Sequence, residues 1–197
     1  MSLKDILFSK KEEKKFFYKN DSVSYKMAKA LFQWIPKQQK EVVVVCIGTD
    51  RSTGDSLGPL VGSLLSDFPL RHLTVYGTLD KPIHAKNLEE NLAMIQQTHP
   101  KGTIVAIDAC LGKQNSIGTI ITGIGPLKPG AAVQKQLPEV GDIHISAIVN
   151  ISGYMEYFVL QNTRLSLVMQ MAKQISQSIR FIDYLIEKQL GTKQVPS

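Results

Sequence analysis

No stretch of this sequence approaches the roughly 20 consecutive apolar residues that a membrane-spanning helix needs. The N-terminus is charged and lacks the short apolar core of a secretory signal, which argues against export by that route. Cysteine is nearly absent, with only Cys46 and Cys110. Each follows an apolar run, so both read as reduced core residues of a cytoplasmic protein. A redox pair on neighbouring strands is the alternative, although neither cysteine sits in a CxxC pattern. The polar loop Gly48-Thr49-Asp50-Arg51-Ser52-Thr53-Gly54 lacks the lysine of a Walker A loop, and its glycines do not form GxGxxG. Ser52, Ser56 and Ser146 have no nucleophile elbow around them, which argues against serine hydrolysis. There is no internal repeat and no low-complexity tract.

What the chain does have is an ordinary globular composition, 43% hydrophobic and 20% charged over 197 residues, enough for one domain with a substantial core. The net charge of +6 is unevenly placed. Residues 1–40 hold ten Lys against four Asp or Glu, and the remainder holds thirteen charges of each sign. The basicity therefore belongs to the N-terminal part and is no argument for a nucleic-acid surface on the domain. Residues 1–22 read as a weakly ordered or helical basic arm. The run from Lys10 to Lys15 is either a solvated face or a lure for an acidic partner. Residues 23–190 read as a single α/β domain and residues 191–197 as a tail.

The domain's patterning alternates between two periods. Residues 42–47 and 103–107 are nearly unbroken β-branched apolar runs, the signature of strands buried on both faces of a parallel sheet. Further strands are expected at 72–78, at 118–122 near an edge, and at 143–149. Residues 155–160 suit a strand or the start of a helix. Helical spacing marks 23–34, 55–65, 85–97 and, most clearly, 164–188. Residues 123–140, rich in Gly and Pro, read as a long loop. The expected fold is a three-layer α/β/α sandwich with a mostly parallel central sheet.

In such sheets ligands bind beyond the strand C-termini, where strand order reverses. The polar residues after the first and third buried runs would share that crevice, and they supply Asp55, at a helix start, and Asp108, at a strand end. Two carboxyls at short range cannot both ionise cheaply, so they share a proton and can serve as base and acid toward water. They could equally hold a divalent metal, with His144 as a third ligand. The bland reading gives Asp55 a capping role and has Asp108 bonding loop amides. Asp50 and His84 are possible additional crevice residues, His84 being weighed against a plain surface-loop histidine. His72 and His99 show no polar company in the sequence and receive no role.

The stretch Ile47-Gly48-Thr49-Asp50-Arg51-Ser52-Thr53-Gly54-Asp55-Ser56-Leu57-Gly58-Pro59 resembles the first motif of the bacterial spore germination proteases. Ile107-Asp108-Ala109 resembles their second motif, and Lys128-Pro129-Gly130 echoes a Pro-Gly loop of the same family. The whole chain looks most like a compact sporulation relative of those proteases. Thr78-Leu79-Asp80-Lys81-Pro82-Ile83-His84-Ala85, Gly141-Asp142-Ile143 and Val159-Leu160-Gln161-Asn162-Thr163-Arg164-Leu165 belong to that resemblance. It implies catalytic roles for Asp55 and Asp108 without a cofactor. It also implies a peptide or protein substrate, with small acid-soluble spore proteins as the family expectation, and a place in the cytoplasm of the developing spore. The germination proteases are longer and carry a propeptide region that finds no counterpart here. The resemblance implies a phosphorylase/hydrolase-like fold, which the hydrogenase maturation peptidases share. Their acidic metal ligands fall on the same two positions, Asp55 replacing a glutamate, and their histidine ligand falls on His144.

Overall fold

The computed structural model describes residues 12–37, 41–130 and 137–191. Six strands, β1 (Glu13–Phe17), β2 (Val42–Cys46), β3 (Leu73–Tyr76), β4 (Thr103–Gly112), β5 (Thr119–Ile124) and β6 (Ile143–Ile151), form one sheet in the order β1-β5-β6-β4-β2-β3. The four strands β6, β4, β2 and β3 run parallel, and β5 and β1 add antiparallel pairs at one side. The expected mostly parallel α/β sheet is thus present.

The apolar runs set the layers. β2 reads Val-Val-Val-Val-Cys, and every residue is buried because both faces are covered. One face packs against α1 (Val23–Trp34), α2 (Leu57–Ser66) and the long α5 (Leu165–Gly191). Met27 and Leu31 of α1, Val61 and Leu65 of α2, and Met171, Ile175 and Ile179 of α5 meet Val44, Val105, Ile107 and Ile145 there. The other face is covered by α3 (Leu88–Thr98), through Leu88, Leu92 and Ile95, and by Leu127 and Val140 of the long loop. Because α2 lies on one face and α3 on the other, the chain winds outward from β2 to β3 and then back over β2 to β4. The β2–β4 boundary is therefore the topological switch point, where an α/β sheet opens a crevice beyond its strand ends.

Several expectations are corrected. The second half of the supposed N-terminal arm is a strand: Glu13–Phe17 pairs with β5, Glu13 opposite Gly123 and Phe17 opposite Thr119. Phe16 and Tyr18 pack against the core, and this apolar anchoring is what a solvated arm would lack. Residues 1–11 lie outside the described residues. β5 is therefore interior to the sheet, not its edge. β4 runs on to Gly112 because β6 keeps pairing with it after β2 has ended, so Asp108 lies within the strand. Residues 155–160 resolve into a short helix, α4 (Glu156–Gln161). α5 ends at Gly191, and residues 192–197 lie outside the described residues. Among the described residues, no helix is long and apolar enough to cross a membrane.

Candidate active site

The loop after β2 is built by close approaches that only glycine permits. Gly48 adopts φ +146°, and a Cβ there would lie 2.0 Å from the Asp55 carbonyl oxygen. The loop can then close on itself, the Thr49 N–H donating to that same oxygen at 3.1 Å. Gly58 lets α2 start directly against the end of β2, since a Cβ there would stand 2.1 Å from the Ile47 carbonyl oxygen. Pro59 follows in the first helical turn, where a missing N–H costs nothing. The Leu-Gly-Pro step thus pins the helix to the strand, and the turn before it holds Asp55. Ser56 Oγ donates to the Thr53 carbonyl oxygen at 2.7 Å and stiffens that turn.

Asp108 comes to the same place from β4. The last β2 residue paired with β4 is Cys46, opposite Ile107. Asp108 is therefore the first β4 residue with no β2 partner, and its other neighbour is Ser146 of β6. Its Oδ1 accepts the Ala109 N–H at 2.8 Å. Both aspartates are half-buried, surrounded by protein yet open to a ligand.

They face one crevice of about 890 Å³. Its walls come from the 48–55 loop, the β4 and β6 strands, the Pro126–Gly130 and 137–139 parts of the long loop, and α4. Every residue marked in the sequence lines it: Asp55, Asp108, Asp50, His84 and His144. Asp50 is exposed at the rim. His84 takes part in a tight turn, its Nδ1 accepting the Lys86 N–H at 3.3 Å. Residues that sequence reasoning passed over also line the crevice. Glu13 arrives on β1, and Tyr157 and Leu160 come from α4; Cys110, read from the sequence as a core residue, lies two positions beyond Asp108 and lines the crevice too. The Phe16-Phe17-Tyr18 run after Glu13 was the one available signal for β1.

Burial raises the pKa of Asp55, opposed by the nearby Ser52 hydroxyl, which does not close a well-formed hydrogen bond. Asp108 is raised well above the usual carboxyl range, first by burial and then by the charge of Asp55, against the pull of the Ala109 and Gly130 backbone amides. The two carboxyls are thus electrostatically linked, and Asp108 is the more strongly raised of the two. Cys110 is pushed up to about 12 by burial and the Asp108 charge, so it is a neutral thiol on the crevice floor. Cys46 lies in the core on the opposite face of the sheet, which removes the redox-pair alternative.

The metal alternative fares less well. His144 Nδ1 faces the Gly125 carbonyl oxygen at 2.9 Å, and its Nε2 faces Glu13 Oε1 at 4.0 Å. Both ring nitrogens thereby face other oxygens, those of the Gly125 carbonyl and the Glu13 carboxylate. Among the described residues, no three His, Cys, Asp or Glu side chains are gathered as ligands would be. The donor set does not fit the metal site implied by the maturation-peptidase resemblance. Elsewhere, His99 and His72 do have polar company. His99 bridges Glu41 at 2.5 Å and the Tyr76 hydroxyl at 2.8 Å, and His72 Nε2 lies 3.5 Å from Glu187.

This α/β fold has a counterpart among solved structures. The crystal structure of a [NiFe] hydrogenase maturation protease, HycI from Thermococcus kodakarensis KOD1, superposes with a TM-score of 0.50 over 79% of this chain and 99% of that one. At 16% identity the likeness is one of fold. Residues 15–178 match the family described as "Protein of unknown function (DUF1256)", and the chain belongs to that family. It is 50% identical over 186 residues to "Uncharacterized protein YyaC" of Bacillus subtilis (strain 168), covering 93% of this chain and 91% of that protein.

Proposed function

We propose that this protein is an endopeptidase in which Asp55 and Asp108 activate a water molecule against a peptide carbonyl. The observation that carries the reading is the pairing itself: two carboxyls, both raised by burial and one raised further by the other, face a single crevice. A pair in which one carboxyl is raised by the charge of the other favours carrying a single proton, and that is the starting state acid–base hydrolysis needs. Ionised Asp55 takes a proton from water as the oxygen adds to the carbonyl carbon, and Asp108 gives its proton to the carbonyl oxygen. Asp55 then passes its proton to the amide nitrogen, the C–N bond breaks, and a hydroxyl proton of the intermediate returns to Asp108. The products are a carboxylic acid and an amine, and both aspartates regain their starting states.

The fold likeness to a maturation protease and the resemblance of both aspartate motifs to the germination proteases support this reading. On the latter resemblance, the substrates are small acid-soluble spore proteins and the setting is the cytoplasm of the developing spore. The test is cleavage of such proteins, beside an unrelated unfolded polypeptide, with new N-termini read by mass spectrometry. Asp55→Asn and Asp108→Asn should each cost a factor of roughly 10²–10⁴, the usual worth of general acid–base help, while keeping a cooperative melt. Wild-type protein that cleaves none of them would assign the crevice to binding without catalysis.

A further inference from the structure

Thirteen large apolar side chains remain exposed among the described residues, and five of them fall in the eight positions 151–158: Ile151, Tyr154, Met155, Tyr157 and Phe158. Scattered exposed apolar residues are ordinary, but a concentration of them marks a surface that something covers. The concentration is not an accident of a loose loop. Tyr154 is 82% exposed and Tyr157 64% exposed, although the segment is held by its own bonds. Asn150 Nδ2 donates to the Val159 carbonyl oxygen at 3.3 Å and to Thr163 Oγ1 at 3.2 Å, and the Gly153 N–H donates to Glu156 Oε1 at 3.2 Å. Met155 is held at φ +49°, an uncommon conformation for a side-chain-bearing residue, as α4 begins. Glu156 is the sole charge across residues 150–163.

Two observations say what covers this surface. First, it runs into the crevice: Tyr157 is exposed on the platform and lines the crevice, and Leu160 of the same helix forms its wall. Second, α4 is bonded to the turn that carries Asp55. The Gly54 N–H donates to the Leu160 carbonyl oxygen at 2.8 Å, and a Cβ on Gly54 would lie 2.7 Å from Leu160 Cδ2. An occupant of the platform therefore lies against a helix bonded to the residue next to Asp55, and a second copy seated there would cover the Tyr157 side of the mouth. We propose that residues 151–158 are the docking platform for an extended, uncharged apolar segment of the substrate polypeptide flanking the bond that enters the crevice. This rests on the peptidase reading for its substrate, though not for the surface itself. It gives the specificity a chemical class: chains presenting large apolar side chains while unfolded, a condition that folded proteins do not meet.

The probe is a fluorescein-labelled twelve-residue peptide alternating Leu or Phe with Gly or Ser, beside a version with every Leu and Phe replaced by Ser. Binding to the full chain is followed by fluorescence anisotropy in the Asp108→Asn background, so that the peptide survives the titration. The apolar peptide should bind saturably and the Ser version should not. Replacing Tyr154, Tyr157 and Phe158 together by Ser should raise Kd by at least about tenfold, equivalent to about 1.4 kcal/mol. Leu79→Ser with Met94→Ser, which removes exposed apolar groups elsewhere, should leave it unchanged. An unaltered Kd in the Tyr154/Tyr157/Phe158 variant, or no saturable binding at all, overturns the proposal. So does wild-type self-association in sedimentation velocity that the triple replacement abolishes while the peptide fails to bind, for the platform would then belong to a second copy. Peptide binding that behaves as expected, beside a wild type that cleaves nothing, upholds the platform and removes the peptidase reading alone.

Discussion

Replacing Asp108 by Asn should make the protein more stable at neutral pH and less so, relative to wild type, as the pH falls. In the unfolded chain this carboxyl titrates near 3.8, whereas in the fold it is raised well above that value by burial and the Asp55 charge. Below pH 3.8 both states hold the proton and the carboxyl contributes no difference. Above it the unfolded chain ionises and the folded one does not. The folded state then binds more protons than the unfolded, and stability falls as pH rises until the folded pKa is passed. One such group bounds the slope at about 1.4 kcal/mol per pH unit. For a chain of this size 1 kcal/mol moves Tm by about 2–4 °C, so the gap between variant and wild type should open by up to about 3–6 °C per pH unit. Asparagine keeps an oxygen for the Ala109 N–H, so the comparison isolates the charge. Thermal melts from pH 4 to pH 9 read the gap directly, and Asp55→Asn should show the same sign with a smaller gap. A gap that stays flat with pH, or closes as pH rises, would refute the claim that burial and mutual repulsion govern this pair.

Three further outcomes follow from the geometry. Gly58→Ala puts a Cβ 2.1 Å from the Ile47 carbonyl oxygen and should cost at least about 1–3 kcal/mol in urea unfolding, with activity lost as Asp55 moves. Phe16→Ala should lower stability by about 2 kcal/mol, roughly half the value for a fully buried phenylalanine, whereas an unattached arm would give no change in the melt. Adding Mn²⁺ or Zn²⁺ should give no saturable binding by calorimetry that His144→Ala abolishes; a stoichiometric site lost in that variant would restore the metal reading.

The parts of the fold that could be read in advance are those where burial leaves its mark on residue choice. The run at 42–47 and the start of β4 had to be strands covered on both faces, and their adjacency followed from alternating strands and helices. That placed Asp55 and Asp108 together. β1 escaped because an edge strand is held through backbone pairing and tolerates charge, so Glu13, Lys14 and Lys15 read as solvated. The orientation of His144 depends on Gly125, nineteen positions earlier, and Glu13, far earlier still, neither of which leaves any periodicity around it. His99 was passed over for the same reason, since Glu41 and Tyr76 reach it only through the tertiary fold. The platform on α4 was invisible because an apolar residue in a sequence does not announce which side of it faces water.

The pairing of β1 with β5 has a consequence for biogenesis. Glu13 leaves the ribosome well before its partner Gly123, which is made only after three of the sheet's four parallel strands, β2 to β4, have been synthesised. This strand must wait, unpaired, for most of the central sheet. Long-range closures of this kind are slow to form, and local structure precedes them. β1 is then among the last pieces to dock, and with it comes Glu13, whose carboxylate reaches His144 over Gly123. A nascent chain would hold both aspartates before its crevice had its outer wall, so the site is completed only by a segment made before either of them.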